Sequence, residues 1–425
     1  MTRPNIILLT VDALRADHLS GSGYDRPTTP ELDRFADANV SYEHAYAVST
    51  QTREAAPPIV TGQWPEAFAA SGYTQLEAPL PERLATAGYR TGAFHSNPFL
   101  SRAYGYDTGF ETFFDDLYLG SNRWLALAQK ALEKYVFGRG EYYARAPEIH
   151  ERALSWIDSV DDGPFFCWNH YMDVHGPYHP PEQRFADRAL SAPEAESLFR
   201  QSWNAPETLT DDQRTLLADF YDDELRCLDS EIGAFLDALD DREILSESLV
   251  VLTADHGELL GEDGLFSHPR RLREELLHVP LIVSTPRGAS ATVSPPVSTL
   301  AVAPTLAESA GLSQDAMAGT SLLDDGEPRR VDPDQRVFAS VAVEGDRSVR
   351  RFAVRTAEVS LRQERATETG SVVAETYDGP EEAYEPLTAA LDDFAADRLK
   401  QLDGQTPRME VGSEIKSRLE SLGYR

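Results

Sequence analysis

Apolar and polar residues follow one another along the chain in runs that predict strands and helices in turn. Residues 5–11, NIILLTV, are continuously apolar and rich in β-branched side chains, a pattern typical of a strand buried on both faces. Four similar runs predict further strands at residues 91–96, 164–172, 248–254 and 279–285. Because helical patterns separate these strands, the sequence predicts a mostly parallel sheet with helices on both faces.

The helical patterns have recognisable starts and spacings. Residues 30–38 and 79–89 begin at proline, which favours the first turn of a helix. Residues 211–239 carry leucine, isoleucine and phenylalanine at helical spacing and predict one long amphipathic helix. Residues 297–312 predict a helix that ends near Gly311.

The last quarter of the chain has a different pattern. Around residues 322–336 the sequence turns polar and rich in proline, which indicates a boundary. Beyond it lie three short strand-like runs and a helical run at 387–402. We therefore expect a catalytic domain over residues 1–325 and a small C-terminal α+β subdomain over residues 326–425.

The charge is strongly acidic. Among 425 residues there are 71 acidic and 39 basic side chains, for a net charge of −32. This balance argues against non-specific binding to nucleic acid, which requires a basic surface. The acidity either repels anionic ligands or adapts the surface to a salt-rich cytoplasm. The scarcity of lysine favours the second interpretation and resembles proteins of salt-accumulating archaea; the chain holds only Lys130, Lys134, Lys400 and Lys416.

Other features bear on location and redox chemistry. No run of about 18 apolar residues is present, so we expect no membrane span. The N-terminal residues lead directly into the first strand and leave no room for a signal peptide, so we expect a cytoplasmic protein. Cys167 and Cys227 have spacing that suits neither a zinc site nor a disulfide framework, and buried thiols are expected.

Polar residues follow the predicted strands, and binding sites in such sheets form at the carboxyl ends of strands. Asp12 follows the first strand and could either cap the next turn or bind a metal. Asp255 and His256 are adjacent before Gly257, so both can face a metal if the backbone turns there. These oxygen and imidazole donors suit a divalent cation.

At this point the sequence resembles the sulfatase branch of the alkaline phosphatase superfamily. The similar segments are PNIILLTVDALRADHLSGSGY, TTPELDRFADANVSYEHAYA, PFFCWNHYMDVHGPYHPP and LVVLTADHGELLGEDGLFSH with LREELLHVPLIV, and they occur in the family order. The resemblance runs almost from end to end. It implies an alkaline-phosphatase-like α/β/α sandwich with a large, mostly parallel central sheet and a small C-terminal α+β lobe.

The resemblance also points to a nucleophile in residues 46–62, YAVSTQTREAAPPIVTG. In this branch the nucleophile stands ten positions before the glycine of the closing TG, which here leads back from Gly62 to Thr52. Members that use formylglycine have Cys or Ser there, within C/S-x-P-x-R, and Thr52 cannot be converted to that aldehyde. Glu54 and Ala56 replace the family proline and arginine.

An alternative register and the charge of Glu54 both bear on the choice of nucleophile in this segment. A register shifted by three residues places Ser49 and Arg53 at the ends of S-x-P-x-R, but its distance to Gly62 no longer fits. Glu54 is unfavourable beside a nucleophile that attacks an anionic ester unless it points away or pairs with Arg53. A threonine nucleophile is what the resemblance implies for phosphoesterase and phosphoglycerol-transferase members.

The resemblance implies one divalent cation (Ca²⁺, Mg²⁺, Mn²⁺ or Zn²⁺), held by Asp12, Thr52, Asp255 and His256. The catalytic residues are expected to be Thr52, which forms a covalent ester intermediate, with His175 and His268 contacting substrate oxygens or protonating the leaving group. Among the remaining candidates, His170 and Asp173 are available for a second metal, Asn97 for substrate or a turn, and Arg15 and Asp17 for a mutual pair.

The function expected from the sequence is therefore metal-dependent hydrolysis of sulfuric or phosphoric esters, carried by a small molecule or a glycan. The family resemblance favours sulfate, whereas the threonine favours phosphate. A phosphoglycerol-type transferase and a catalytically inactive binding relative are the alternatives.

Overall fold

A computed structural model describes residues 3–402 apart from positions 70, 74, 75, 77, 117–142, 162 and 344. In chain order the described strands are β1 (Asn5–Val11), β2 (Val40–Tyr42), β3 (Ala45–Tyr46), β4 (Arg90–Phe94), β5 (Thr112–Phe114), β6 (Phe165–Tyr171), β7 (Ser248–Ala254), β8 (Leu259–Leu260), β9 (Phe266–Ser267), β10 (His278–Val279), β11 (Leu281–Ser284), β12 (Ala291–Val293), β13 (Val297–Ser298), β14 (Leu323–Asp324), β15 (Glu327–Pro328), β16 (Val337–Val343), β17 (Asp346–Arg355), β18 (Ser360–Ala366) and β19 (Val372–Asp378). The described α-helices are α1 (Pro30–Ala38), α2 (Thr52–Thr61), α3 (Leu80–Thr86), α4 (Ala146–Ile157), α5 (Ala192–Asn204), α6 (Asp211–Asp240), α7 (Glu274–Leu277), α8 (Val302–Ser309) and α9 (Glu381–Leu402).

Eight strands form the central sheet, in the order β12-β2-β11-β7-β1-β6-β4-β5. Strands β7, β1, β6, β4 and β5 run parallel, whereas β11 is antiparallel to both of its neighbours. In register, Val11 at the end of β1 lies between Tyr171 and Ala254. The carboxyl ends of the three middle strands are therefore level, and the residues that follow them meet at one edge of the sheet.

Helices cover both faces of this sheet, which explains why β1 is apolar throughout. On one face, alternate residues of β1 such as Ile7 and Leu9 pack with α1, α4, α5 and α6. On the other face, Ile6 and Leu8 pack with α2, α3 and α8. The expected α/β/α sandwich is confirmed.

The long helix α6 holds the loops around it as well as packing on the sheet. Its consecutive residues Asp222, Asp223 and Glu224 are fully buried. The partners of Asp222 are His18, Tyr24 and Arg26, those of Asp223 are the amides of residues 184–186, and those of Glu224 are Arg145 and the amide of His179. The acidic triplet thus anchors three separate segments.

The predicted C-terminal α+β arrangement is present. Strands β16–β19 form an antiparallel sheet, and α9 packs on it through leucines that include Leu387 and Leu391. The division at residue 325 stays a prediction: that position lies in the β14–β15 hairpin, and Val337 and Ala339 share the core cluster of the large sheet.

Several sequence expectations differ in detail from the structure. Only Val302–Ser309 of the run 297–312 is α-helical, because Val297–Ser298 pairs with β3. Cys167 is buried, but Cys227 is partly exposed. Among the described residues, every helix is too short or too polar to cross a lipid bilayer.

Candidate active site

The predicted site residues converge at the carboxyl edge of the sheet. Asp12 follows β1 and Asp255 follows β7, and the amide of Asp255 donates to the carbonyl of Val11 at 3.3 Å. Thr52 is the first residue of α2. Its Oγ1 lies 3.2 Å from His256 Nε2 and 3.4 Å from Asp12 Oδ2. These four side chains are all at most 1% exposed.

Each of the two carboxylates has one oxygen held by the protein and one oxygen available. Asp12 Oδ2 accepts from Asn97 Nδ2 at 2.6 Å, and Asp255 Oδ1 accepts from the His256 amide at 2.9 Å. Asp12 Oδ1 and Asp255 Oδ2 have no hydrogen-bond partner among the described residues. Both lie 3.6 Å from His256 Nε2. Buried carboxylate oxygens without partners are costly, so this arrangement suits a bound cation.

The His256 ring presents a lone pair toward these two carboxylate oxygens, Asp12 Oδ1 and Asp255 Oδ2. Its Nδ1 lies 2.9 Å from the Gly257 carbonyl, which can only accept, so Nδ1 carries the hydrogen and Nε2 is free to bind. Glycine is required at position 257, because a Cβ there would lie 2.1 Å from the Glu275 carbonyl oxygen. Among the described residues, Asp12, Asp255 and His256 are the cluster with metal-ligand geometry. With the Thr52 hydroxyl they form a donor set that fits a divalent cation.

The two carboxylates have opposite pKa shifts. Burial tends to raise the pKa of Asp12, but His175, His170 and His256 outweigh it and hold that pKa well below its usual range. Burial and the neighbouring Asp12 charge raise the pKa of Asp255. Two like charges this close repel one another, and a cation between them would remove that repulsion.

His170 stands beside Asp12, and among the described residues it belongs to no second cluster with metal-ligand geometry. Its Nδ1 is 2.9 Å from Thr10 Oγ1, which itself accepts from Trp168 Nε1 at 2.8 Å. His170 Nε2 lies 3.7 Å from Asp12 Oδ2. Asp173, the other candidate for a second metal, instead accepts from the Ala146 amide at 3.2 Å. These two residues therefore serve different parts of the structure.

His175 and His268 form a pair next to the cation ligands. Their Nε2 atoms are 3.2 Å apart, and the ring centroids of His268 and His256 are 4.7 Å apart. Both rings are buried, and burial lowers the pKa of each. His268 Nδ1 lies 3.1 Å from Gln51 Nε2. Sequence reasoning missed Gln51; its place directly before the predicted nucleophile Thr52 was the available signal.

Glu54 points away from Thr52 and pairs with arginines other than Arg53. Its Oε1 lies 2.7 Å from Arg270, and its Oε2 lies 3.0 Å from Arg350. Arg53 instead donates to the Gly72 carbonyl at 2.8 Å. Burial tends to raise the pKa of Glu54, but Arg350 and Arg270 outweigh it and lower that pKa. Glu54 therefore points away from the predicted nucleophile and has its charge compensated by two arginines, so it does not oppose an anionic ester at Thr52.

Three further expectations can be compared with the geometry. Asn97 caps the turn Pro98–Leu100 through its side-chain oxygen, which accepts from the Phe99 amide at 2.8 Å, and also donates to Asp12. Arg15 pairs with Asp17 at 2.7 Å, as expected. Ser49 Oγ, the nucleophile of the shifted register, makes no hydrogen bond to the ligand cluster among the described residues.

Comparison with known proteins identifies the family of this chain. The sequence model of the Sulfatase family matches residues 4–312. A curated relative, the uncharacterized sulfatase YidJ of Escherichia coli (strain K12), is 24% identical over 375 residues, which span 78% of this chain and 73% of the relative.

Two solved structures have the same fold. The structure of BT4656 in complex with its substrate D-glucosamine-2-N,6-O-disulfate has a TM-score of 0.66 at 18% identity, covering 96% of this chain and 99% of that one. The phosphonate monoester hydrolase of Agrobacterium radiobacter has a TM-score of 0.66 at 17% identity, covering 97% and 99%. Because the family's sequence model matches well over half of its length, this chain belongs to the sulfatase family.

Proposed function

We propose that this protein is a divalent-cation-dependent hydrolase of sulfuric or phosphoric esters that acts through a covalent intermediate on Thr52. The observation that supports this most directly is the position of Thr52 Oγ1, within 3.4 Å of both Asp12 and His256. No other hydroxyl of the predicted nucleophile segment shares those partners among the described residues.

The start of α2 suits an anionic substrate. Thr52 is the first residue of a ten-residue helix, where free amide groups and the helix dipole favour negative charge. A cation held by Asp12, Asp255, His256 and Thr52 would lower the pKa of the threonine hydroxyl and offset charge on the ester oxygens.

The chain's own residues then account for the rest of the reaction. Thr52 Oγ1 forms a bond to sulfur or phosphorus as the bond to the leaving oxygen breaks, and its proton passes through an imidazole of the His175–His268 pair to that oxygen. Water subsequently cleaves the ester on Thr52 and restores the hydroxyl. Asn97 and His170 hold Asp12 in place throughout.

The relatives suggest where to look for the substrate. One structural neighbour binds a sulfated glucosamine and another hydrolyses phosphonate monoesters. We therefore propose an ester of sulfate, phosphate or phosphonate on a sugar or another small alcohol. A surface of net charge −32 would disfavour substrates that carry many negative charges.

The test uses nitrophenyl sulfate, phosphate and bis-phosphate esters with Ca²⁺, Mg²⁺, Mn²⁺ or Zn²⁺ at high salt. We expect cation-dependent turnover that Thr52→Ala abolishes and that the matched control Ser49→Ala retains. Mass spectrometry of the quenched reaction should locate a sulfo or phospho group on the peptide that contains Thr52.

Other results would redirect the proposal. Turnover that survives Thr52→Ala would reject this nucleophile. Transfer of the group to added glycerol in preference to water would favour a transferase. Cation binding without turnover of any ester would favour a binding protein.

A further inference from the structure

We propose that Gln51 is a positioning residue that fixes which ring nitrogen of His268 carries the hydrogen, so that His268 directs an N–H group, and His175 a lone pair, toward the bound ester. The statement about the ester rests on the proposed function. The assignment of the hydrogen to one nitrogen does not, since it follows from contacts within the chain.

One end of this hydrogen-bond chain is fixed by the Gln51 amide. Its Nε2 lies 2.7 Å from the Thr50 carbonyl oxygen and also contacts the His268 carbonyl oxygen. Both oxygens can only accept, so the NH₂ end of the amide must face them. The same nitrogen is 3.1 Å from His268 Nδ1. A hydrogen on Nδ1 would point at the amide N–H groups, so Nδ1 holds the lone pair and Nε2 the hydrogen.

The other end is fixed by a carbonyl. His175 Nδ1 lies 2.7 Å from the Gly176 carbonyl oxygen, so this nitrogen carries a hydrogen and His175 Nε2 holds a lone pair. The 3.2 Å contact between the two Nε2 atoms is then a hydrogen bond from His268 to His175. With both rings neutral, each of the four ring nitrogens of His175 and His268 has a hydrogen-bond partner of the opposite kind.

The two histidines therefore have different roles, His268 as a hydrogen-bond donor and His175 as an acceptor. When an ester enters, His268 Nε2–H can turn from His175 to the leaving oxygen and stabilise its developing charge as a hydrogen-bond donor. His268 keeps its hydrogen, so no imidazolate is formed. Once the His268 hydrogen is directed to the ester, the lone pair on His175 Nε2 is available to take the Thr52 proton and pass it to the leaving oxygen. The sequence alone left these roles open between the two residues.

The experiment compares the protein with Gln51→Glu and Gln51→Met. A carboxylate at position 51 can only accept, so it should move the His268 hydrogen to Nδ1. The methionine removes the donor without adding charge and should give a mixture of the two forms. Gln63→Glu, just beyond the C-cap of α2, is the matched control for charge.

The first measurement is the ¹⁵N chemical shift of the histidine rings, with His268→Gln used to assign the signal. We expect a hydrogen on Nε2 in the parent protein and Gln63→Glu, and on Nδ1 in Gln51→Glu. The second is turnover of phenyl and nitrophenyl esters of the group that is hydrolysed. A poor leaving group needs the donor more, so phenyl ester turnover should fall about 10²- to 10⁴-fold and nitrophenyl ester turnover by much less.

Each outcome decides the proposal. A hydrogen on Nδ1 in the parent protein overturns it, and so do equal losses for both esters, which indicate a purely structural role. If Gln51→Glu does not fold, Gln51→Met still tests the ring assignment. If no ester is turned over, the proposed function is rejected, whereas the NMR measurement still tests which nitrogen of His268 carries the hydrogen.

Discussion

Glu54 Oε2 lies 3.0 Å from an Arg350 guanidinium nitrogen, and this contact ties the first turn of α2 to the C-terminal sheet. Both side chains are almost completely buried. Arg350 also pairs with Glu66 at 2.7 Å, so the arginine is shared between two acids. In this chain an ion pair from a distant segment therefore supports the region where the family motif has proline and arginine.

We expect Glu54→Gln to lower the free energy of unfolding by about 3 kcal/mol, because removing one partner of a buried ion pair leaves the other charge without full compensation. Urea unfolding at neutral pH measures this. The double variant Glu54→Gln with Arg350→Met should lose less than the sum of the two single losses, because both single variants break the same contact. If the loss in the double variant instead equals the sum of the losses in the two single variants, the two residues do not interact.

The same pair predicts a pH dependence. The pKa of Glu54 in the folded protein is below its ordinary value of 4.5, because Arg350 and Arg270 outweigh the effect of burial. A lowered carboxyl pKa contributes stability that is present above pH 4.5 and is lost as the pH falls through the folded value. The difference in unfolding free energy between the parent and Glu54→Gln should therefore shrink in acid. A difference that grows below pH 4 would contradict the pairing.

Asn97 is expected to matter for cation affinity because it donates to Asp12 Oδ2 and so orients the carboxylate whose other oxygen has no hydrogen-bond partner among the described residues. Replacing such a supporting partner typically weakens metal binding by about 10- to 100-fold. Isothermal titration of Asn97→Ala with Mn²⁺ or Ca²⁺ should show this loss, whereas Asn39→Ala, which removes a hydrogen bond to the Phe35 carbonyl, should not. Unchanged affinity in Asn97→Ala would mean that Asp12 is positioned by other contacts.

Cation binding should also stabilise the fold. A cation at 100 times its Kd adds about 2.7 kcal/mol to the free energy of unfolding if it binds only the folded chain. We expect Tm to rise when the cation is added, to fall with a chelator, and to be insensitive to both in Asp255→Ala. Asp263→Ala, which alters an exposed acid outside the site, is the control and should respond like the parent.

The net charge of −32 predicts salt-dependent stability. Repulsion among surface carboxylates opposes the compact state, and added salt screens charges that are more than about a Debye length apart. Tm should therefore rise as KCl is increased from about 0.1 to 1 M, where the Debye length falls from about 10 to 3 Å. A Tm that falls over this range would argue against the salt-adapted interpretation of the composition.

The sequence predicted the parts of the fold that depend on local pattern. Residues 5–11, 30–38 and 248–254 form elements with the predicted bounds, because a continuous buried strand or a proline-started helix is recognisable within the segment itself. The same patterns placed Asp12 and Asp255 at strand ends. The short edge strand β12 and the partly strand-like start of 297–312 were missed, since pairing with distant residues determines them.

The supporting contacts of the site were beyond local reasoning. Glu54 and Arg350 are 296 positions apart, and no pattern within either segment indicates that they meet. The same is true of Gln51 and His268, which are 217 positions apart. Family resemblance supplied the proposed ligands and the proposed nucleophile, whereas the partners that orient them required three-dimensional contacts.

The level ends of β1 and β7 have a consequence for biosynthesis. A chain emerging from the ribosome displays Asp12 and Thr52 early, yet their counterparts at 255 and 256 follow only after more than half of the polypeptide has been made. Products truncated before residue 255 therefore lack two members of the ligand cluster, even if their first strands form. A cation held by these residues would therefore bind only after β7 has paired with β1.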